Sequence, residues 1–302
     1  VLMFLNNFLL NIMNISHYKK NQCSPFVDEK LPYSCLSPNA LNTIVVAVNK
    51  LDKGTINLDK SDKQKYESVC KFIKSNYNCN TEGCWLGIKE LMKLIPSNHL
   101  DNFENHFRPV LPKELIKDKT NWLSNFDIEA VLYKHHNNLD DFYFYGALPI
   151  DFRKCSVSDD LCKINILSHR KNGEKKIGFV FNTDESNKPG QHWFSMYIDL
   201  DGINFDGQPG IYYFDSFGSP PTNEITELIN KIKNQDKECE YVVLHNDKSI
   251  QKNTYSCGVY TMHFLEHMLQ GRPFKQYLNN VNDKKVKQFL NECYLHPNEI
   301  KY

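Results

Sequence analysis

Residues 191–218 read QHWFSMYIDLDGINFDGQPGIYYFDSFG. Two aromatic and β-branched runs, Trp193 to Ile198 and Ile211 to Phe214, stand either side of a segment rich in Asp, Gly and Pro, the pattern of strands joined by turns. Outward from this stretch, Phe142 to Ile150, Ile177 to Phe181 and Tyr241 to Leu244 have the same strand character, and a Gly/Pro/Asn turn links Phe181 to Trp193. Short links of this kind imply antiparallel pairing. The Lys-rich stretch Arg170 to Lys176 contains Asn172-Gly173 and reads as a solvated hairpin tip. Ahead of the strands, Thr120 is placed to cap a helix carrying Trp122, Leu123, Phe126, Ile128, Val131 and Leu132. Behind them, helices are predicted over Gly258 to Gln270, stopped by Gly271 and Pro273, and over Asp283 to Tyr294. Helix, then strands, then helices predicts an α+β domain over 119–302, with a mainly antiparallel central sheet flanked by helices.

Residues 1–118 read as a second, helical domain. Ser37-Pro38 opens an apolar stripe of Leu41, Ile44, Val45, Val48 and Leu51; another helix starts after Ser61 with Tyr66, Val69, Cys70 and Ile73 turned inward; a third covers Leu86 to Leu94 before Pro96. The opening VLMFLNNFLLNIM lacks a basic leader, and its asparagines interrupt it short of the ~20 apolar residues that a membrane span needs. Leu2, Leu5, Phe8, Leu9, Ile12 and Met13 instead mark an amphipathic helix. Lys plus Arg and Asp plus Glu are both 36, so no whole-molecule basic field is available to hold nucleic acid. Ten irregularly spaced cysteines in a chain of 302 residues read as reduced thiols, which suits a reducing compartment such as the cytoplasm. Cys79 and Cys84 lack the second pair that a zinc site requires and read as free thiols too.

The chemistry is concentrated in His192, Asp215, Gln251 and Cys257. A thiol is only slightly ionised at neutral pH and needs help to become a nucleophile. Cys257 stands at the start of an apolar helix, where the macrodipole favours negative charge, and an imidazolium from His192 would add a full positive charge. Asp215 can hold the second imidazole nitrogen, with Asp199, Asp201 and Asp206 as rival acceptors. Gln251 can offer a side-chain N–H to an oxyanion beside the Cys257 backbone N–H, and Gly258 leaves room for substrate. Each residue singly has a structural reading, as a core thiol, a strand histidine or a turn aspartate; the joint order favours a thiol enzyme. A competing pattern is His263-x-x-Glu266-His267, the inverted zinc-protease motif, which needs a third ligand from Glu292 or Glu299.

The order His-Trp, Tyr-Phe-Asp-Ser, and Gln, five residues, Cys-Gly resembles the SUMO-specific and adenovirus-type cysteine proteases over about 119–302. The resemblance implies a papain-like or adenain-like core, with His192 as base, Asp215 orienting it, Cys257 as nucleophile and Gln251 as oxyanion donor. Trp122-Leu123-Ser124-Asn125 is similar to the start of that family's catalytic domain, though its acidic residue arrives only at Asp127. The family resemblance implies that Trp122 and Trp193 sandwich a Gly-Gly end, whose lack of Cβ atoms suits a narrow tunnel. The strings 144–152 and 178–183 look like versions found in large cytoplasmic DNA viruses, African swine fever virus among them, which carry an extra helical N-terminal domain. The resemblance therefore implies cleavage after Gly-Gly in a viral polyprotein, without metal or organic cofactor, in host cytoplasm or virion. Alternatives are an isopeptidase acting on ubiquitin-like proteins such as SUMO, an acetyltransferase using the same triad, and a non-catalytic module that binds Gly-Gly tails.

Overall fold

A computed structural model describes residues 17–51 and 56–300, and the amphipathic helix expected over Leu2 to Met13 lies outside them. The described residues up to Leu111 and from Tyr294 to Ile300 gather into one compact unit, and Pro112–Cys293 into another. In the first unit, helices α1 (Pro38–Leu51), α2 (Asp62–Tyr77), α3 (Glu82–Trp85), α4 (Lys89–Met92) and α5 (Ser97–Asn105) surround a core. It is built from Leu41, Ile44 and Val48 of α1, Val69 and Ile73 of α2, and Trp85. Ser61 starts α2 with a capping box, its hydroxyl accepting from Gln64 N while Gln64 answers Ser61 N. Of the helix expected over Leu86 to Leu94 only Lys89–Met92 is helical, because the chain turns at Leu86 and Gly87 after α3 and is extended at Ile88, whose side chain is buried. The last stretch of chain belongs here as well: Leu295 N donates to Pro109 O at 2.7 Å and Leu295 O accepts from Leu111 N at 2.8 Å.

The second unit is built on a five-stranded sheet in chain order, β1 (Phe142–Pro149), β2 (Lys176–Asn182), β3 (Trp193–Asp199), β4 (Gly210–Phe214) and β5 (Val242–His245). Helices α6 (Lys113–Lys117) and α7 (Asn125–Asn138) precede it, α8 (Asp159–Cys162) and α9 (Ile166–Asn172) join β1 to β2, and α10 (Asn223–Gln235) joins β4 to β5. The chain continues through α11 (Cys257–Leu269), α12 (Phe274–Asn280) and α13 (Asp283–Cys293). Side chains alternate across the strands, so Phe194, Met196 and Ile198 of β3 join Ile225, Leu228 and Ile232 of α10 in one core cluster. On the opposite face Phe214 of β4 stacks on Tyr260 and Phe264 of α11. The α+β architecture is as expected, but pairing is antiparallel only for β2–β3 and β3–β4; β1–β2 and β4–β5 are parallel. Both parallel pairs are joined by helical crossovers, one of them the unanticipated α10.

Three local readings need correction. Residues 170–176 form no hairpin tip, since Ile166–Asn172 is helical and Gly173 ends it in the left-handed conformation (φ 84°). The cap of α7 is Ser124 rather than Thr120, and Asp127 completes its capping box, so Trp122 and Leu123 precede the helix. Six of the ten cysteines are paired, Cys23–Cys35, Cys79–Cys84 and Cys155–Cys162, while Cys70, Cys239, Cys257 and Cys293 form no disulfide. These pairs close only 12, 5 and 7 residues, so each staples its own turn and leaves no framework spacing to read. The expectation of reduced thiols throughout, and the support it lent to a reducing compartment, falls with them. Among the described residues no helix is long and apolar enough to cross a membrane.

Candidate active site

His192 immediately precedes β3 and Asp215 immediately follows β4, so antiparallel pairing of these strands brings both side chains to one end of the sheet. His192 Nε2 lies 3.0 Å from Asp215 Oδ1, and the imidazole also hydrogen-bonds the side chain of Cys257. Burial pulls His192 down, but the hydrogen bonds to Asp215 and Cys257 and their charges outweigh it and push the imidazole up to about 9. Of the rival acceptors, Asp199 is committed elsewhere, its carboxylate accepting from Asp201 N, Gly202 N and Asn204 N.

Contacts that the sequence did not announce hold Asp215 in place. Asn246, just beyond β5, accepts from Asp215 N at 3.0 Å and donates to Asp215 O at 2.6 Å, while Phe217 N donates to Asp215 Oδ1 at 2.7 Å. Phe217 also stacks on His192, with ring centroids 4.9 Å apart, so it shields one face of the imidazole. Gly218 closes this turn at φ 76°, where a Cβ would stand 2.5 Å from the Lys248 carbonyl carbon.

Cys257 is the first residue of α11 and is only 2 % exposed. Ser256 gives that helix no side-chain cap, which leaves first-turn N–H groups for a ligand. The incoming loop is knitted by Asn253, whose Oδ1 accepts from Tyr255 N and Ser256 N. Gln251 is buried, donates Nε2–H to Asn253 O at 2.7 Å and accepts from Ser216 Oγ at 2.7 Å. Gln251, Ser216, Asp215, His192 and Cys257 thus form one connected chain of contacts.

Trp122 and Trp193 line a common cavity of about 710 Å³ with Leu123, Pro149, Asp184 and Gly190. Trp193 is 8 % exposed and is fixed by its Nε1–H donating to Leu123 O at 2.9 Å, whereas Trp122 is 47 % exposed. Gly258 does not open onto free space: a Cβ there would meet Leu123, Ile128 and Trp193 at 3.2–3.3 Å, so its missing side chain lets the start of α11 pack against Trp193. The protein's own side chains therefore occupy the room expected there for substrate.

Neither candidate metal set is arranged for an ion. His263 Nδ1 is 3.3 Å from Tyr277 Oη, His267 Nε2 is 3.2 Å from Pro273 O, and Glu266 lies 3.4 Å from His135, so the three motif side chains are turned to separate protein partners. Cys155, Asp159 and Cys162 come together, but their two sulfurs are bonded to each other.

Comparison with known proteins adds an independent line. Residues 175–300 match the Ulp1 protease family, C-terminal catalytic domain. Over 296 residues the chain is 29 % identical to a protein of Acanthamoeba polyphaga mimivirus named as a thiol protease, covering 90 % of this chain and 91 % of the relative. A cysteine protease of African swine fever virus is 22 % identical over 235 residues, 72 % of this chain and 83 % of the relative. The version in other isolates bears the name SUMO-1 cysteine protease. The crystal structure of the African swine fever virus protease superposes with a TM-score of 0.61 at 17 % identity, covering 91 % of this chain and 96 % of that one, a likeness of fold.

Proposed function

We propose that this chain is a cysteine protease with a catalytic domain of the Ulp1 type and that it cleaves peptide bonds after Gly-Gly in a viral polyprotein, using Cys257, His192, Asp215 and Gln251. The observation that carries the reading is the imidazole of His192, held by Asp215 at 3.0 Å on one nitrogen and bonded to Cys257. A protonated imidazole in that position stabilises the Cys257 thiolate, which attacks the carbonyl carbon of the second glycine. The oxyanion receives the free Nε2–H of Gln251 and the backbone N–H of Cys257. His192 then passes its proton to the leaving amine, and in the second half-reaction it draws a proton from the water that opens the thioester.

The two tryptophans support the Gly-Gly specificity. With Cys257 recessed, only a narrow extended chain can bring a carbonyl to it, and residues without Cβ atoms pass where larger ones are rejected. The name carried by the African swine fever virus relatives favours a second substrate class, the isopeptide tail of a SUMO-like protein, on the same machinery.

A fluorogenic peptide ending in Gly-Gly tests the proposal. Turnover should stop on treatment with iodoacetamide, and Cys257→Ala should reduce it to background while retaining tail binding, read from tryptophan fluorescence. Turnover that survives Cys257→Ala would reject the nucleophile assignment.

A further inference from the structure

Resting on the reading of Gln251 as oxyanion donor, we infer that Ser216 is a positioning residue that sets which way the Gln251 amide faces. An amide presents a donor on one side and an acceptor on the other, and only the donor is useful to an oxyanion. The Asn253 carbonyl can only accept, so the group 2.7 Å from it is the Gln251 NH₂. Oε1 then faces Ser216 Oγ at 2.7 Å, and the hydroxyl must donate. Ser216 is almost completely buried, and its carbonyl accepts from Ile250 N at 2.9 Å and Gln251 N at 3.0 Å. One residue therefore holds both the backbone and the side chain of Gln251. With Oε1 satisfied by Ser216 and one N–H by Asn253, the second N–H of Nε2 is left for the substrate. Ser216 also follows Asp215 directly, so one dipeptide orients the base through its first residue and the oxyanion donor through its second.

Kinetics on the full chain with the Gly-Gly peptide decide this. Gln251→Ala should lower kcat roughly 100-fold or more. Ser216→Ala should lower kcat about fivefold to tenfold, the scale of one neutral hydrogen bond, with KM within about twofold. Added to Gln251→Ala, it should cost nothing further, because no amide is left to orient. Ser216→Thr, which keeps the hydroxyl, should recover most of the loss, and thermal midpoints confirm that each variant is folded. Equal loss from Ser216→Ala in both backgrounds would overturn the role of Ser216 and leave Gln251 standing. An unchanged kcat in Gln251→Ala would overturn the oxyanion reading and the inference with it.

Discussion

His192 meets opposed influences: burial disfavours its charge, while Asp215 and Cys257 favour it and prevail, raising it from 6.5 to about 9. Because the folded value lies above the unfolded one, the charged ring contributes stability that is fully present below pH 6.5 and is lost as pH rises through about 9. Thermal midpoints should therefore fall across that window, and by less in His192→Gln. The same titration sets the alkaline limb of kcat/KM, expected near 9. Asp215→Asn removes the carboxylate charge, so a pH–rate profile should show that limb displaced towards 6.5, with kcat down roughly tenfold to 100-fold. An alkaline limb unmoved in this variant would detach Asp215 from His192. That His192, Asp215 and Cys257 would come together, with Gln251 on the same run of contacts, was an expectation open to the sequence, because each carries its own chemistry in a recognisable order. The parts played by Asn246, Ser216 and Phe217 were not open to it, because they act through an amide on the backbone, a hydroxyl on the Gln251 side chain and a stacked ring, all on residues distant in the chain or from other elements, which no spacing records.

At the scale of elements, strands were legible from their aromatic runs and the antiparallel sense of β2–β3–β4 from the links between them, but the parallel sense of β1–β2 and β4–β5 was not. That sense depends on what lies between strands, and α10 carried a readable stripe of Ile225, Leu228, Ile229 and Ile232 behind a Thr222 cap. The start of α7 was misplaced because Thr120 and Ser124 are both capping residues, and only Ser124 has an acid three positions on. Ser124→Ala should cost about 1 kcal/mol in a urea titration. It should also raise KM more than it changes kcat, since the neighbouring Leu123 carbonyl anchors Trp193. Gly218→Ala should be more severe, at about 3 kcal/mol, because the new Cβ must enter a turn at φ 76° against the Lys248 backbone. Its kcat should fall too, as that turn carries Asp215 and Ser216.

For the whole molecule, the chain gathers into two units, one of them closed by the segment from Tyr294 that a reading along the sequence assigned elsewhere, and the cysteines did not reveal their local pairs. The Cys23–Cys35 bond closes 12 residues, and the double variant Cys23→Ala/Cys35→Ala should lose about 2–3 kcal/mol in oxidising buffer. The deficit should largely vanish in reductant, where the wild type loses the same link. The return of Tyr294 onward to the unit that holds Leu111 has a practical corollary. The sheet-bearing segment is spliced into the helical one, so excising it takes two incisions, after Leu111 and after Cys293. A fusion partner added beyond residue 300 would be carried by the helical unit, and trimming the tail would unravel the Leu295 bridge rather than the strand ends that present His192 and Asp215.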